Sequence, residues 1–355
     1  VVKTGRAIRV MVVDDSALVR EMISAILLSE PGISVVGEAV NGKEAIARAL
    51  VLKPDLITMD IEMPVMGGLE AIERIMSEQP LPILVITSLT GVRTAFAAVS
   101  KGALDVIEKP DIDLKGSRNL IKKVRLLAGV DIMAHLASKR VRPGGISGTD
   151  SSRTAVPDTR QPPVSGGGRV VAIASSTGGP QAIQAILSRL PADFPAPVVI
   201  AQHIAEGFTR GMAEWLGGST RLKVREAVNG DSVEPGCVHI NPAENSMRIT
   251  RQGTIMLGER ENRRTYHPSC DTLLCSVAES YRERAVGLIL SGMGDDGVEG
   301  MAAIRKGGGN TLAQDERSSV VYGMNRLAVE RGCIDRVMPL CDIVNELLRL
   351  VGGKG

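Results

Sequence analysis

The sequence predicts an α/β protein made of two parallel-sheet domains. Three observations carry that expectation. In both halves, short β-branched apolar runs alternate with stretches of helical apolar spacing, which is the signature of βα units. A segment dominated by Arg, Ser, Thr, Gly and Pro separates the halves, with too little apolar area to offset chain ordering. The length of 355 residues exceeds what one core of ordinary size holds.

The first half reads in order as follows. Arg9 to Val13 is a β-branched strand that ends in Asp14 and Asp15. Leu18, Val19, Met22, Ile23, Ile26 and Leu27 follow at helical spacing. Ser34 to Glu38 reads as a strand and Asn41 to Leu52 as a helix. Asp55 to Thr58 is a short buried strand leading to Asp60. Pro82 to Thr87 and Asp105 to Glu108 are the last two strands. Leu120 to Leu136 has the pattern of a helix leaving this domain.

In the second half, Val170 to Ala174, Val198 to Ala201 and Ala285 to Leu290 read as buried parallel strands. Val224 to Glu226, Cys237 to Ile240, Met247 to Thr250 and Thr254 to Leu257 are short strands with the rhythm of an antiparallel hairpin region. The expected domains are 6–127 and 169–352, joined by a linker over 128–168. No repeat relates the halves beyond the shared βα rhythm.

Composition narrows the function. Hydrophobic residues make up 44% and charged residues 23%, ordinary values for a globular protein. Aromatics are only 2%, which argues against base-stacking platforms for single strands. A net charge of +2 gives no drive toward nucleic acid or an anionic membrane. A transcriptional output would be a small basic helix-turn-helix unit, unlike this long glycine-rich half. No run reaches the roughly 18 to 20 apolar residues of a membrane span, and the first residues lack a signal-peptide core. Cytoplasmic residence is expected, with no membrane insertion. The five cysteines form no CxxC pair and read as reduced structural thiols.

Two sets of residues carry chemistry. In the first half, Asp14, Asp15 and Asp60 sit where parallel strands end, the place where open α/β sheets bind ligands. Clustered carboxylates repel unless a cation lies among them, and an all-oxygen donor set suits Mg²⁺. Thr87 and Lys109 end neighbouring strands. A hydroxyl and an ammonium beside a carboxylate suit an acyl phosphate. These motifs (Val12-Val13-Asp14-Asp15-Ser16, Met59 to Pro64, Thr87-Ser88 and Lys109-Pro110) resemble a response-regulator receiver domain over about Ile8 to Leu127. The resemblance implies a flavodoxin-like five-stranded fold with Asp60 as phosphoacceptor. It implies Asp14, Asp15 and Asp60 as Mg²⁺ ligands, Thr87 as switch hydroxyl and Lys109 as phosphate contact. Receivers often carry an aromatic switch residue three positions before the lysine, and this chain has Val106 there.

In the second half, Val170 to Ala174 runs into Ser175-Ser176-Thr177-Gly178-Gly179-Pro180 and then a helix. A serine in such a turn lies near free backbone N–H groups. Gln202-His203 ends the next strand, and Gly292-Met293-Gly294-Asp295-Asp296-Gly297 ends a third. Serine, imidazole and carboxylate therefore meet on one rim, as a Ser-His-Asp hydrolase requires. Spacing alone leaves Ser175 or Ser176, and Asp295 or Asp296, open. His239 lies within a strand and reads as structural, His267 reads as a substrate contact, and His135 as solvated. These motifs, with Gly207-Phe208-Thr209 and Ile240-Asn241-Pro242-Ala243, are similar to the chemotaxis protein-glutamate methylesterase (CheB) family. The resemblance implies a Ser176, His203 and Asp296 triad with backbone donors near Thr177 and Met293. It also implies phosphorylation-activated hydrolysis of glutamate γ-methyl esters on chemoreceptors, deamidation of receptor glutamines, and a histidine kinase as phosphoryl donor. No cofactor is expected for the ester hydrolysis itself.

Overall fold

The computed structural model describes residues 6–88, 91–110, 114–133, 168–260 and 266–352. His135 and the linker residues 134–167 lie outside them. The first domain is a five-stranded parallel sheet in the order β2-β1-β3-β4-β5. Its strands are β1 (Ile8–Val13), β2 (Ile33–Ala39), β3 (Leu56–Met59), β4 (Ile83–Thr87) and β5 (Asp105–Glu108). Between and after them run helices α1 (Ala17–Leu28), α2 (Gly42–Leu52), α3 (Gly68–Glu78), α4 (Val92–Ser100) and α5 (Leu114–Leu127). Strands β1, β3 and β4 are buried on both faces, as a sheet covered by helices demands. Asn41 starts α2 by accepting the Glu44 N–H, the ordinary N-cap arrangement. The helix at the domain's end begins and finishes earlier than the apolar pattern suggests. After it, Ala128, Val130 and Ile132 still pack on the first core.

The second domain is a seven-stranded sheet in the order β14-β13-β12-β6-β7-β9-β8, parallel throughout. It contains β6 (Val170–Ser175), β7 (Val198–Gln202), β8 (Lys223–Glu226), β9 (Cys237–Ile240), β12 (Ala285–Ile289), β13 (Asn310–Gln314) and β14 (Arg336–Met338). Strands β10 (Asn245–Ile249) and β11 (Ile255–Glu259) form a separate antiparallel hairpin. Only this second pair of short strands is a hairpin. β8 and β9 are parallel, because the connection 227–236 carries the chain back to the sheet's starting edge, which a tight turn cannot do.

Helices α6 (Gly179–Leu187), α7 (Thr209–Gly217), α8 (Cys270–Tyr281), α9 (Val298–Lys306), α10 (Met324–Glu330) and α11 (Leu340–Gly352) complete the domain. They sandwich the sheet between two cores. The chain leaves β6 toward β7 on one side, while β12 pairs on the other. The C-terminal end of β6 is therefore a topological switch point, where open sheets form clefts.

The first domain lies over that cleft. Val92, Phe96 and Val99 of α4 are buried in the same core as α6 and α7. The Phe96 and Trp215 rings stack across the contact at 5.5 Å. The sequence holds three Phe and one Trp, so this pairing uses much of its scarce aromatic area. Burying a Phe side chain contributes roughly 1.5–3 kcal/mol. Polar groups complete the contact. Gln181 donates its amide N–H to the carbonyls of Val99 (3.2 Å) and Ala103 (2.5 Å), and Trp215 donates to the Ser100 hydroxyl at 3.2 Å.

Candidate functional site

The acidic site of the first domain forms where β1 and β3 end side by side. Asp14 is fully buried, Asp60 is 4% exposed and Asp15 faces solvent. One carboxylate oxygen from each lies within 4.8 Å of the others, a donor set that fits a divalent cation held by oxygen. Lys109 Nζ reaches in, 2.8 Å from Asp14 and 3.0 Å from Asp60. Burial raises the Asp60 carboxyl above its ordinary range. The hydrogen bond and charge of Lys109 oppose that, and Asp14 adds to it. For Lys109, burial works against the charged form, but the bonds to Asp14 and Asp60 prevail and hold its ammonium above the ordinary value. Thr87 ends β4, buried, and its carbonyl accepts the Lys109 backbone N–H at 2.9 Å. Val106 is half-buried and packs against both domains' cores.

The second site is assembled by strand register. Ser175 pairs with Gln202, so the residues after each stand together on the rim. The His203 N–H donates to the Ser175 carbonyl and the Ser176 N–H to the Ser291 carbonyl, both at 3.0 Å. Strand alternation separates the two serines. Ser175 is fully buried, and its hydroxyl donates to Gln202 at 2.6 Å. Ser176 lines the cavity instead. Gly292 lies directly behind it. A Cβ there would come within 2.7 Å of the Ser176 Cβ, so only a glycine lets the backbone pass this close to the serine. Met293 and Thr177 both line the cavity.

His203 Nε2 lies 2.7 Å from Asp296 Oδ2. Among the described residues its Nδ1, also buried, has no hydrogen-bond partner. Asp296 is 6% exposed and accepts three further bonds, from the N–H groups of Cys270 (2.7 Å) and Asp271 (3.0 Å) and the Ser269 hydroxyl (3.2 Å). Burial alone would raise its carboxyl. The bond and charge of His203 outweigh that, helped by the Asp271 and Cys270 N–H groups, and hold it below the usual range. Asp295, by contrast, is exposed. The two adjacent acids differ because only the second turns inward toward the end of β7.

Cys270 places its sulfur 3.5 Å from His203 Nε2. His203, Cys270 and Asp296 have the donor types of a metal centre. Yet the carboxylate is saturated by the bonds above, and the thiol donates to the Ala201 carbonyl. Burial, then the Asp296 charge, push that thiol well above its ordinary value, so it stays protonated. The cluster has the chemistry of an imidazole held by a hydrogen-bonded carboxylate.

Further residues reach the site without any local signal in the sequence. Tyr266 stacks on His203 with ring centroids 4.9 Å apart and planes 10° from parallel. Lys122 of α5 sits over the Tyr266 ring at 4.8 Å. Lys123 donates to the Thr177 hydroxyl at 2.6 Å and also pairs with Asp105. These lysines and Val106 close one side of a cavity of about 190 Å³, whose other side carries Ser176 and His203. His267 lines the same cavity, and its carbonyl accepts the Ile204 N–H. His239 stands apart, buried in β9, where Nε2 accepts from Arg225 Nε at 3.1 Å.

Comparison with known proteins matches both halves. A CheB methylesterase family model matches residues 171–347, and a response regulator receiver domain model matches residues 10–121. The protein-glutamate methylesterase/protein-glutamine glutaminase 3 of Paramagnetospirillum magneticum is 45% identical, over 98% of this chain and 97% of its own length. The protein-glutamate methylesterase/protein-glutamine glutaminase of Archaeoglobus fulgidus is 39% identical, over 98% and 99%. Among solved structures, the Thermotoga maritima CheB methylesterase catalytic domain is 36% identical with a TM-score of 0.51. It covers 52% of this chain and all of that one.

Proposed function

This chain belongs to the CheB methylesterase family, and from that premise we propose that it hydrolyses glutamate γ-methyl esters on chemoreceptors under control of Asp60 phosphorylation. The observation that carries the reading is the Asp296–His203 pair beside Ser176 at the sheet's switch point.

Ser176 Oγ attacks the ester carbonyl while His203 Nδ1 takes its proton. Asp296, hydrogen-bonded to Nε2, fixes the tautomer and stabilises the imidazolium. The N–H groups of Thr177 and Met293 face the oxyanion of the tetrahedral intermediate. Its collapse breaks the C–O bond, and the His203 proton leaves with methoxide as methanol. Water, deprotonated by His203, attacks the acyl carbonyl. Ser176 departs with that proton, the second water proton is released to solvent, and the glutamate carboxylate is restored. With a glutamine side chain the leaving group is ammonia, giving deamidation by the same steps.

Asp60 accepts a phosphoryl group from the phosphohistidine of a histidine kinase, forming an acyl phosphate as the P–N bond breaks. Asp14, Asp15 and Asp60 would hold Mg²⁺, which offsets phosphoryl charge when bound. Lys109 neutralises the same charge, and Thr87 is the switch hydroxyl. The domains are 6–127 and 169–352, joined by the 128–168 linker, and the protein works in the cytoplasm. The first domain over the cleft is the inactive state, and phosphorylation shifts the population toward separation.

Methanol release from a methylated receptor signalling domain, with and without a small phosphodonor and Mg²⁺, tests both parts. Release that rises with the phosphodonor supports the whole reading. Release without a rise removes the control, and no release from folded protein removes the esterase.

A further inference from the structure

Asp271 takes no part in the steps above, yet it is 6% exposed and stands in the first turn of α8. One of its carboxylate oxygens accepts the N–H groups of Gly297 and Gly300, both at 2.8 Å. Those groups open helix α9. Asp296, just before α9, accepts the Cys270 and Asp271 N–H groups that open α8. Each helix start is therefore capped by the carboxylate from the start of the other. Helix N-termini present unpaired N–H groups and partial positive charge. Two of them side by side are satisfied here by one exchange of carboxylates.

The exchange matters because of where Asp296 sits. Its turn contains Gly294 and Gly297, with φ of +108° and +104°. Glycines in that region leave a turn with more conformational freedom than any other residue would. The carboxylate that must meet His203 at 2.7 Å stands in this glycine-flanked turn. Asp271 braces the peptide immediately after it. We propose that Asp271 is a positioning residue of the esterase, an inference that rests on the Ser176–His203–Asp296 reading. Its shape, a short side chain with one oxygen accepting two N–H groups, aims Asp296 at the imidazole.

Shape and charge are separated by three variants of the full-length, phosphodonor-treated chain. Asp271→Asn keeps the accepting oxygen and drops the charge. Asp271→Glu keeps the charge and displaces the oxygen, and Asp271→Ala removes both. Displacement of a reacting group by an ångström costs on the order of 10²-fold. The Ala and Glu variants are expected to lose on the order of 10²-fold in kcat for methanol release, with KM unchanged. Asn is expected to stay within about threefold of wild type. The rate at which a fluorophosphonate probe labels serine should fall in parallel, because it reads nucleophile activation without receptor binding. If Ala does not fold, the Asn and Glu comparison stands alone. Wild-type kcat and labelling in Glu or Ala would overturn the proposal, as would Asn falling as far as Glu. A wild-type chain that neither labels nor releases methanol would instead overturn the esterase reading beneath it.

Discussion

Lys123 of the first domain donates a hydrogen bond to the hydroxyl of Thr177, the residue next to the candidate nucleophile, at 2.6 Å. The same ammonium pairs with Asp105, buried at the start of β5. One side chain thus ties the receiver sheet to the rim of the catalytic cleft.

Replacing it should loosen the closed state. A hydrogen bond contributes about 0.5–1.5 kcal/mol net. Lys123→Met is expected to raise methanol release without phosphodonor by roughly 3- to 10-fold, since about 1.4 kcal/mol is a factor of ten. The phosphodonor-stimulated rate should change little. An unaltered basal rate would show that Lys123 does not hold the domains together.

Phe96→Ala removes the ring that stacks on Trp215. Basal activity should again rise, by about 10-fold or more, given the burial energy of a Phe side chain. In the proposed opening, Phe96 and Lys123 act from different elements. Their effects should add as free energies if they share no contacts, and a double mutant measured without phosphodonor decides this.

Asp296→Asn should leave the fold intact and lower kcat by about 10³–10⁴-fold, because the amide no longer fixes the imidazole tautomer. Circular dichroism checks the fold and initial rates check the chemistry. Activity within tenfold of wild type would remove Asp296 from the triad.

His239 should set part of the acid sensitivity. Burial, then the Arg225 charge, hold its imidazole below the ordinary value, while Asp231 and Glu234 oppose them. The unfolded chain therefore binds a proton that the folded chain refuses. The contribution to stability is complete above about pH 6.5 and is lost as pH falls through that value toward the folded one. His239→Gln keeps an acceptor for Arg225 without titrating. Its thermal midpoint should fall less steeply than that of wild type between pH 7 and 5, and equal slopes would assign the sensitivity elsewhere.

Much of this organisation is legible in the sequence because strands and their ends are local. Asp60, Lys109, Ser176 and His203 each follow an apolar run whose end can be read directly. What is not legible depends on direction or distance. Ser175 and Ser176 are neighbours in sequence, and only their opposite faces on an extended backbone distinguish them. Asp295 and Asp296 differ by which one turns toward β7. The neighbouring strands β8 and β9 look like a hairpin until the path of 227–236 is known. Lys122 and Tyr266 meet across 144 residues, between elements whose local patterns say nothing of each other. The chain's own interdomain contacts, unlike its motifs, leave no periodic trace.

The scarcity of aromatics has a practical consequence. The single tryptophan of the sequence is Trp215, stacked on Phe96 and bonded to Ser100 at the boundary between the two domains. Indole emission from this protein therefore arises at one place, the surface that parts in the proposed opening of the cleft. The native chain carries its own spectroscopic reporter of closure, and no label needs to be attached to follow it.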